Sequence, residues 1–146
     1  MNDAPPRTLV DAVERLIRVG VALTTRALSE EPEVELTVQQ WRVLVLVAEG
    51  DTLRVGEIAT HVGLSFPSAS RLVSRLETAG LVRHDRDPDD RRASRVAATP
   101  TGRRVARSVI DRRRTLIGEA LEAAGPFDGA VSAAIERLGR ALDHLA

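Results

Sequence analysis

The sequence predicts an all-α fold that carries one small β-hairpin, and three observations favour it. Apolar residues recur every three or four positions through most of the 146 residues, which is the spacing of amphipathic helices. Only Trp41, Phe66 and Phe127 are aromatic, so the core must be built mostly from the Leu, Val, Ile and Ala that suit packed helices. Between residues 81 and 98, two short candidate strands flank an Asp-Pro-Asp-Asp turn, and this pattern predicts a hairpin.

The N-terminal part predicts one helix and an acidic linker. Thr8 can cap this helix, whose apolar positions continue at helical spacing to Leu28. The segment EEPEVE (30–35) follows and contains a proline break. We therefore expect residues 1–36 to form an N-terminal helix with a linker.

The second helix has a strong start signal. Thr37 and Gln40 form a capping-box pattern, and Leu36 and Trp41 stand at the two positions of a hydrophobic staple. The helix is predicted to stop at Gly50. Because apolar residues cover nearly every face of it, we expect it to lie at the centre of the core.

The next segment predicts a helix–turn–helix. A short helix near 55–61 ends at Gly63, which can take a positive φ, and Ser65 caps the following helix with Pro67 in its first turn. Gly80 is predicted to stop that helix. The side chains predicted to face inward are Leu72, Val73 and Leu76, and those predicted to face outward are Ser68, Arg71 and Arg75.

The hairpin and two further helices complete the chain. Strands are predicted over 81–86 and 92–98, and Thr99-Pro100 opens a long helix to about residue 124. A last helix is predicted from Asp128, after a Gly-Pro break. A helix sized for the major groove beside an arginine-rich ribbon is a winged helix-turn-helix. We assign this lobe to residues 37–99, and the C-terminal helices to residues 100–146.

The charge is unevenly distributed although the net charge is zero. Residues 54–114 hold 14 arginines against 7 acidic residues, a local balance of +7, and the rest of the chain holds the opposite excess. A basic middle between acidic ends favours a nucleic-acid partner for the predicted lobe.

Several classes of protein are not favoured. The chain has no cysteine, which excludes disulfides and thiolate metal sites, and its first residues do not form a signal peptide. No apolar stretch approaches the roughly 20 residues that span a bilayer. The three histidines are scattered, without a paired-histidine helix motif. We therefore expect a soluble cytoplasmic protein with no catalytic residue, no metal, no cofactor and no membrane partner.

Two segments carry a resemblance to a known family. DRDPDDRR (85–92), leading through Val96 to Thr99 and Gly102, and SRLVSRLETAGLVRH (70–84) resemble the wing and recognition helix of the MarR family of bacterial transcription regulators. Ala98 departs from the leucine usual in that family. The resemblance implies two-fold homodimers that bind palindromic operators in double-stranded DNA and that small ligands often release.

The candidate DNA-reading residues of the predicted recognition helix lie mostly in its first half, the part that a major groove admits. Arg71 could grip guanine O6 and N7, and Ser65 with the backbone N–H groups at the helix start could hold a phosphate. Arg75 has two open roles, a phosphate contact or an ion pair with Glu77 or another acid. The plainer alternative is a solvated polar face. The full set is Ser65, Phe66, Pro67, Ser68, Ser70, Arg71 and Arg75.

The candidate residues of the wing surround its acidic turn. Asp87 or Asp90 could brace an arginine so that its guanidinium enters the minor groove, and the resemblance implies that Arg92 is the tip arginine. The alternative is a hairpin that is exposed to solvent and does not contact DNA. The set is Arg86, Asp90, Arg91, Arg92 and Arg95.

The terminal helices carry apolar stripes that favour a dimer interface over packing within one chain, because the small lobe offers too little surface to cover them. The stripe residues are Val10, Val13, Ile17, Ile135, Leu138, Leu142 and Leu145. A two-fold dimer would read half-sites whose centres lie about 10 base pairs apart.

Only the resemblance implies a ligand site, at which Trp41 and Arg42 would contact a small effector. The alternative for Trp41 is that it is a core residue with no ligand contact. The sequence thus predicts a DNA-binding regulator, acting as a repressor. The main rival is a winged-helix module that contacts only proteins, and a second is an enzyme or metal-dependent sensor.

Overall fold

The computed structural model describes residues 7–32, 34–50, 52–86 and 94–144. These residues form helices and one antiparallel two-stranded sheet, so the predicted all-α fold with a small β-wing is confirmed. The elements in chain order are α1 (Arg7–Ser29), α2 (Val38–Glu49), α3 (Val55–Val62), α4 (Phe66–Thr78), β1 (Val82–Arg86), β2 (Ser94–Ala98), α5 (Pro100–Ala124) and α6 (Gly129–Asp143).

The chain divides into two compact units, Met1–Arg113 and Arg114–Ala146. In the first unit, α2 contacts α3, α4 and β2, as expected of a central helix. The largest side chains that are fully buried there come from α2 to α5, among them Leu44, Ile58 and Leu76. Burial of each such leucine or isoleucine contributes roughly 1.5–3 kcal/mol, so aliphatic packing is a large part of what stabilises the lobe.

The start of α2 has the capping box that the sequence predicts. The Thr37 hydroxyl accepts the N–H of Gln40 at 3.2 Å, and the Gln40 side-chain oxygen accepts the N–H of Thr37 at 2.9 Å. Leu36 packs against the small buried cluster that contains Trp41, as a hydrophobic staple requires. The prediction that Thr8 caps α1 is wrong: Thr8 is itself helical, because the helix already includes Arg7.

The turn between α3 and α4 follows from one glycine and one serine. Gly63 takes φ +66°, in the left-handed region where a side chain is strained. Ser65 then caps α4, its hydroxyl accepting the Ser68 N–H at 3.4 Å, and Pro67 lies in the first turn. The helix ends at Thr78, followed by Gly80 at φ +71°. The predicted helix–turn–helix is confirmed.

The wing comprises β1, β2 and the segment between them. Val82 pairs with Ala98 and Arg86 with Ser94; residues 87–93 lie outside the described ranges. A third segment, which the sequence analysis missed, joins the sheet at its base: the Val96 N–H donates to the Leu53 carbonyl at 2.7 Å, and the Leu53 N–H donates to the Val96 carbonyl at 3.1 Å.

The wing is fastened to α5 by Thr99 and Gly102. The Thr99 hydroxyl donates to the Gly80 carbonyl at 2.7 Å and accepts the Gly102 N–H at 3.0 Å, which caps α5 as predicted. Gly102 passes so close to Leu81 that a Cβ on it would stand 1.9 Å from the Leu81 carbonyl oxygen. Only glycine allows this approach, so the backbone of α5 directly meets the backbone of Leu81, the residue before β1.

The second unit contains the end of α5 and all of α6. Asp128 caps α6, its carboxylate accepting the Val131 N–H at 3.0 Å. None of the residues of α6, every one of which the structure describes, is buried. Its apolar stripe is therefore uncovered within the single chain.

Candidate nucleic-acid interface

The recognition helix α4 buries one face and leaves a polar face exposed. Ala69, Val73 and Leu76 are in the core, and each has a relative exposure of 1% or less. Ser65, Pro67, Arg71 and Arg75 are exposed, and Ser68 and Ser70 are half-buried. The predicted orientation of this helix is confirmed.

A short hydrogen-bonded chain, the Arg71 network, fixes the exposed arginine at the start of α4. The Ser65 hydroxyl donates to the Ser68 Oγ at 2.9 Å, and the Arg71 Nη2 donates to the same Oγ at 3.2 Å. These serines hold the guanidinium near the helix N-terminus, where the helix dipole is positive. This end of α4 therefore concentrates donors, which suits phosphate oxygens and guanine acceptors.

Arg75 lies one turn further along. Among the described residues it makes no ion pair, and the Glu77 carboxylate lies instead 3.7 Å from the Nε2 of His84 on β1. Ser94 Oγ is 3.3 Å from the Nδ1 of the same histidine. His84 therefore links the end of α4 to both strands of the wing, which the sequence analysis did not foresee.

The wing arginines divide into those that the structure describes and those that it does not. Asp90, Arg91 and Arg92 lie outside the described residues, and only the backbone of Arg86 can be placed, at the end of β1. Arg95 is described: its Nη1 donates to the Thr52 carbonyl at 2.8 Å, at the base of the wing. This contact spans 43 residues and holds β2 against the chain before α3.

Sequence reasoning missed a bidentate ion pair on β1. The Arg83 Nε and Nη2 donate to the two carboxylate oxygens of Asp85 at 2.8 and 2.7 Å. These hydrogen bonds lower the pKa of the Asp85 carboxyl and raise the pKa of the Arg83 guanidinium. Residues two apart on a strand share one face, so this period of two was the signal that could have revealed the pair.

The acidic linker also has a specific partner. The Glu30 carboxylate accepts a hydrogen bond from the Arg112 Nη1 at 2.8 Å, and a second from the Arg26 Nε at 3.2 Å. These contacts, with that of Arg112 the stronger, lower the pKa of the Glu30 carboxyl. The linker thereby joins the end of α1 to α5 within the first unit.

Comparison with known proteins agrees with this geometry. The family model described as MarR family matches residues 35–93, which include α2, α3, α4 and β1. The chain is 31% identical over 109 residues to the HTH-type transcriptional regulator FarR of Neisseria gonorrhoeae, covering 73% of this chain and 75% of that protein. The chain belongs to the MarR family.

Solved structures show the same fold along nearly the whole chain of this MarR regulator. The crystal structure of RV1404 from Mycobacterium tuberculosis matches with a TM-score of 0.78 at 28% identity, covering 94% of this chain and 96% of that one. A MarR family protein from Bacillus stearothermophilus matches with a TM-score of 0.73 at 27% identity, covering 97% of each chain. These relationships support a DNA-binding transcriptional regulator over a winged-helix module that contacts only proteins.

The two ligand candidates of this MarR regulator do not share a face. Trp41 is buried at 7% exposure, whereas Arg42 is exposed. The arginine at the indole is Arg113, whose guanidinium carbon lies 5.3 Å from the ring centroid, a cation–π distance. The Trp41 Nε1 is buried and has no hydrogen-bond partner among the described residues.

The described parts of this MarR regulator hold neither a cluster of metal ligands nor a membrane-spanning helix. No three histidine or acidic side chains there come together in a way that could hold a metal ion. Across the same ranges, no helix combines the length and apolar character that crossing a membrane requires.

Proposed function

We propose that this MarR regulator is a cytoplasmic homodimer that represses transcription by binding palindromic operators, without catalytic activity. The observation that carries the proposal is the Arg71 network, which orients an exposed arginine at the N-terminal end of α4 beside the wing. Placed in the major groove, that end brings a bidentate donor to the base edges while the wing reaches the adjacent minor groove.

The residues of α4 divide by the kind of DNA contact that their chemistry allows. Arg71 reads guanine, with Ser68 and Ser70 beside it as short donors to base edges or phosphate. Ser65 and the helix N-terminus hold a phosphate, because the dipole there is positive. Arg75 contacts phosphate, since its guanidinium is exposed and makes no ion pair among the described residues. Phe66 and Pro67 complete the DNA-facing end.

In the wing, the proposed DNA contacts are Arg86, Arg91 and Arg92, with Asp90 bracing the tip arginine Arg92. Arg95 supports them from the base through the Thr52 carbonyl.

This part of the proposal is tested by a gel shift with operator DNA at low ionic strength. The Arg71→Ala/Arg92→Ala double variant is expected to lose binding. A folded double variant that binds as the parent does would contradict the assignment of both arginines.

Dimerisation is proposed from apolar surface that one chain leaves uncovered. On α1, Val10 and Ile17 are 51% and 52% exposed, and on α6, Ile135 is 59% exposed. Val13 is half-buried, and Leu138 and Leu142 are both exposed; Leu145 lies outside the described residues. Full burial of a large aliphatic side chain contributes roughly 1.5–3 kcal/mol, and covering the exposed half of each stripe residue contributes about half of that. The stripes of two chains together thus favour a dimer.

We expect Ile135→Asp to weaken the dimer. A carboxylate at the proposed interface loses the apolar contact and must be desolvated without a partner. Light scattering at micromolar concentration should give a dimer mass for the parent chain and a shift towards the monomer for the variant. Arg137→Asp, an acidic change two positions away on the same helix, is the control and should stay dimeric. A monomeric parent chain would contradict the proposal.

Release by a small effector is the last part of the proposal. The buried Trp41 Nε1, which has no hydrogen-bond partner in the described part of the chain, and the Arg113 guanidinium over the ring form an aromatic and cationic corner. An aromatic carboxylate would complement this corner. Arg42 is exposed on another face of α2, so it would contact only the edge of such a compound. Trp41 is the one tryptophan in the chain, so its fluorescence reports directly on this corner. A panel of aromatic carboxylates should include one that both changes this fluorescence and releases operator DNA. A panel that does neither would contradict this part.

A further inference from the structure

Phe66 is the one large apolar side chain of α4 that the protein does not cover. It is 60% exposed, whereas Val73 and Leu76 on the same helix are 1% and 0% exposed and Leu72 packs against the core. Exposing an aromatic ring in water forgoes the free energy that its burial would give. Core packing therefore does not account for a phenylalanine at this position.

Phe66 lies at the start of the recognition helix, next to α3 and the wing. It is the first residue of α4, directly after the cap Ser65 and five positions before Arg71. It lines a shallow opening of about 520 Å³ together with Arg54 and Glu57 near the start of α3 and Ser94 of the wing. The ring thus lies at the N-terminal end of α4, the end that carries the Arg71 network, beside the start of α3 and the first residue of β2.

We propose that Phe66 reads the C5-methyl group of a thymine in the operator, an inference that rests on the proposed DNA-binding function. Thymine is the only base that presents a methyl group in the major groove, and phenylalanine is among the side chains that contact it. A ring without donors gains nothing specific from phosphate oxygens or from the acceptors of guanine, which the neighbouring serines and Arg71 serve. Arg71 and Phe66 would then specify a guanine and a thymine in the same half-site.

The test removes one methyl group at a time from the DNA. Operator fragments selected from random duplex DNA are resynthesised with a single thymine replaced by deoxyuridine, which keeps every hydrogen-bonding group. At one thymine in each half-site, the parent protein should bind about fourfold more weakly, the factor that corresponds to about 0.8 kcal/mol for one buried methyl or methylene group. Phe66→Ala should be insensitive at that thymine, so the double-mutant cycle between ring and methyl should show the coupling.

The matched control is Phe127→Ala. Phe127 is 51% exposed, similar to Phe66, but lies in the second unit, outside the winged-helix lobe. This variant should retain the fourfold sensitivity to deoxyuridine whatever it does to overall affinity. The measurement on the parent protein needs no variant, so a misfolded Phe66→Ala would not obscure it.

Three outcomes would overturn the inference. The parent protein could be indifferent to deoxyuridine at every thymine, or the sensitivity could persist unchanged in Phe66→Ala. Phe66→Ala could also shift the oligomeric mass instead of the thymine response, which would make the ring a protein contact. A parent protein that binds no duplex contradicts the proposed function itself, which is a separate result.

Discussion

Arg71→Ala is expected to lose most of the discrimination between operator and random DNA while leaving the fold intact. Arg71 is exposed, and in the free protein its guanidinium donates a hydrogen bond to the Ser68 hydroxyl on its own helix. A bidentate arginine–guanine contact is worth about 1–3 kcal/mol of discrimination in each half-site. A dimer bound to a palindromic operator would lose this contact in both half-sites. Binding isotherms on the operator and on a scrambled duplex, at one fixed salt concentration, measure the ratio.

Arg75→Ala is the matched control, because Arg75 is also exposed, on the same helix, and is assigned to phosphate. Its loss should weaken binding to all sequences alike and reduce the slope of log K against log salt by about 0.9 for each contact removed. Unchanged base preference in Arg71→Ala would show that Arg71 does not read a base.

Gly102→Ala is expected to destabilise the protein strongly. The added Cβ would stand 1.9 Å from the Leu81 carbonyl oxygen and 3.1 Å from the Leu44 Cδ1. Neither the Leu81 backbone nor the packed core can move aside without a large cost in free energy. Overpacking of this kind costs about 3 kcal/mol, which outweighs the gain of up to about 1 kcal/mol in helix propensity. The net loss of about 2 kcal/mol should lower the Tm by about 8 °C in thermal unfolding.

Gly56→Ala provides the comparison in the same compact unit. Outside the adjoining backbone of α3, no atom of the described residues lies within 4 Å of the position that a Cβ on Gly56 would take. Its Tm should be unchanged or slightly higher, since alanine is the better helix former. Equal melting temperatures for Gly102→Ala and the parent chain would show that α5 and Leu81 do not approach as closely as described.

Local signals in the sequence were sufficient to predict much of the fold. The capping box of Thr37 and Gln40, the left-handed Gly63 and the cap Ser65 each depend on neighbours within a few residues, and each is present as expected. The outward position of Arg71 follows from the helical period in the same way. Such features could be predicted because the residues that determine them are adjacent in the chain.

Contacts between distant residues could not be predicted in this way. The Leu53–Val96 bridge and the hydrogen bond from Arg95 to Thr52 join segments that are more than forty residues apart, and Glu30 meets Arg112 across 82 residues. Nothing in the local pattern specifies these pairings. The role of Arg95 in particular depends on a backbone carbonyl, which carries no signal in the sequence.

The pKa shifts give a direction for the effect of pH. The carboxyls of Glu30 and Asp85 have lowered pKa values because arginines donate to their charged forms. Their contribution to stability is present above the ordinary carboxyl pKa and is lost as the pH falls through the lowered values. The thermal stability of Arg112→Gln should therefore depend less on pH in the acidic range than that of the parent chain. An unchanged dependence would show that the Glu30 pair contributes nothing measurable, as exposed ion pairs sometimes do.

Selection of bound fragments from a pool of random duplex DNA tests the central claim most directly. If a two-fold dimer places α4 in successive major grooves, the recovered fragments should share an inverted repeat whose half-site centres lie about 10 base pairs apart. Failure to retain any duplex at low ionic strength, or recovery of fragments without two-fold symmetry, would contradict it.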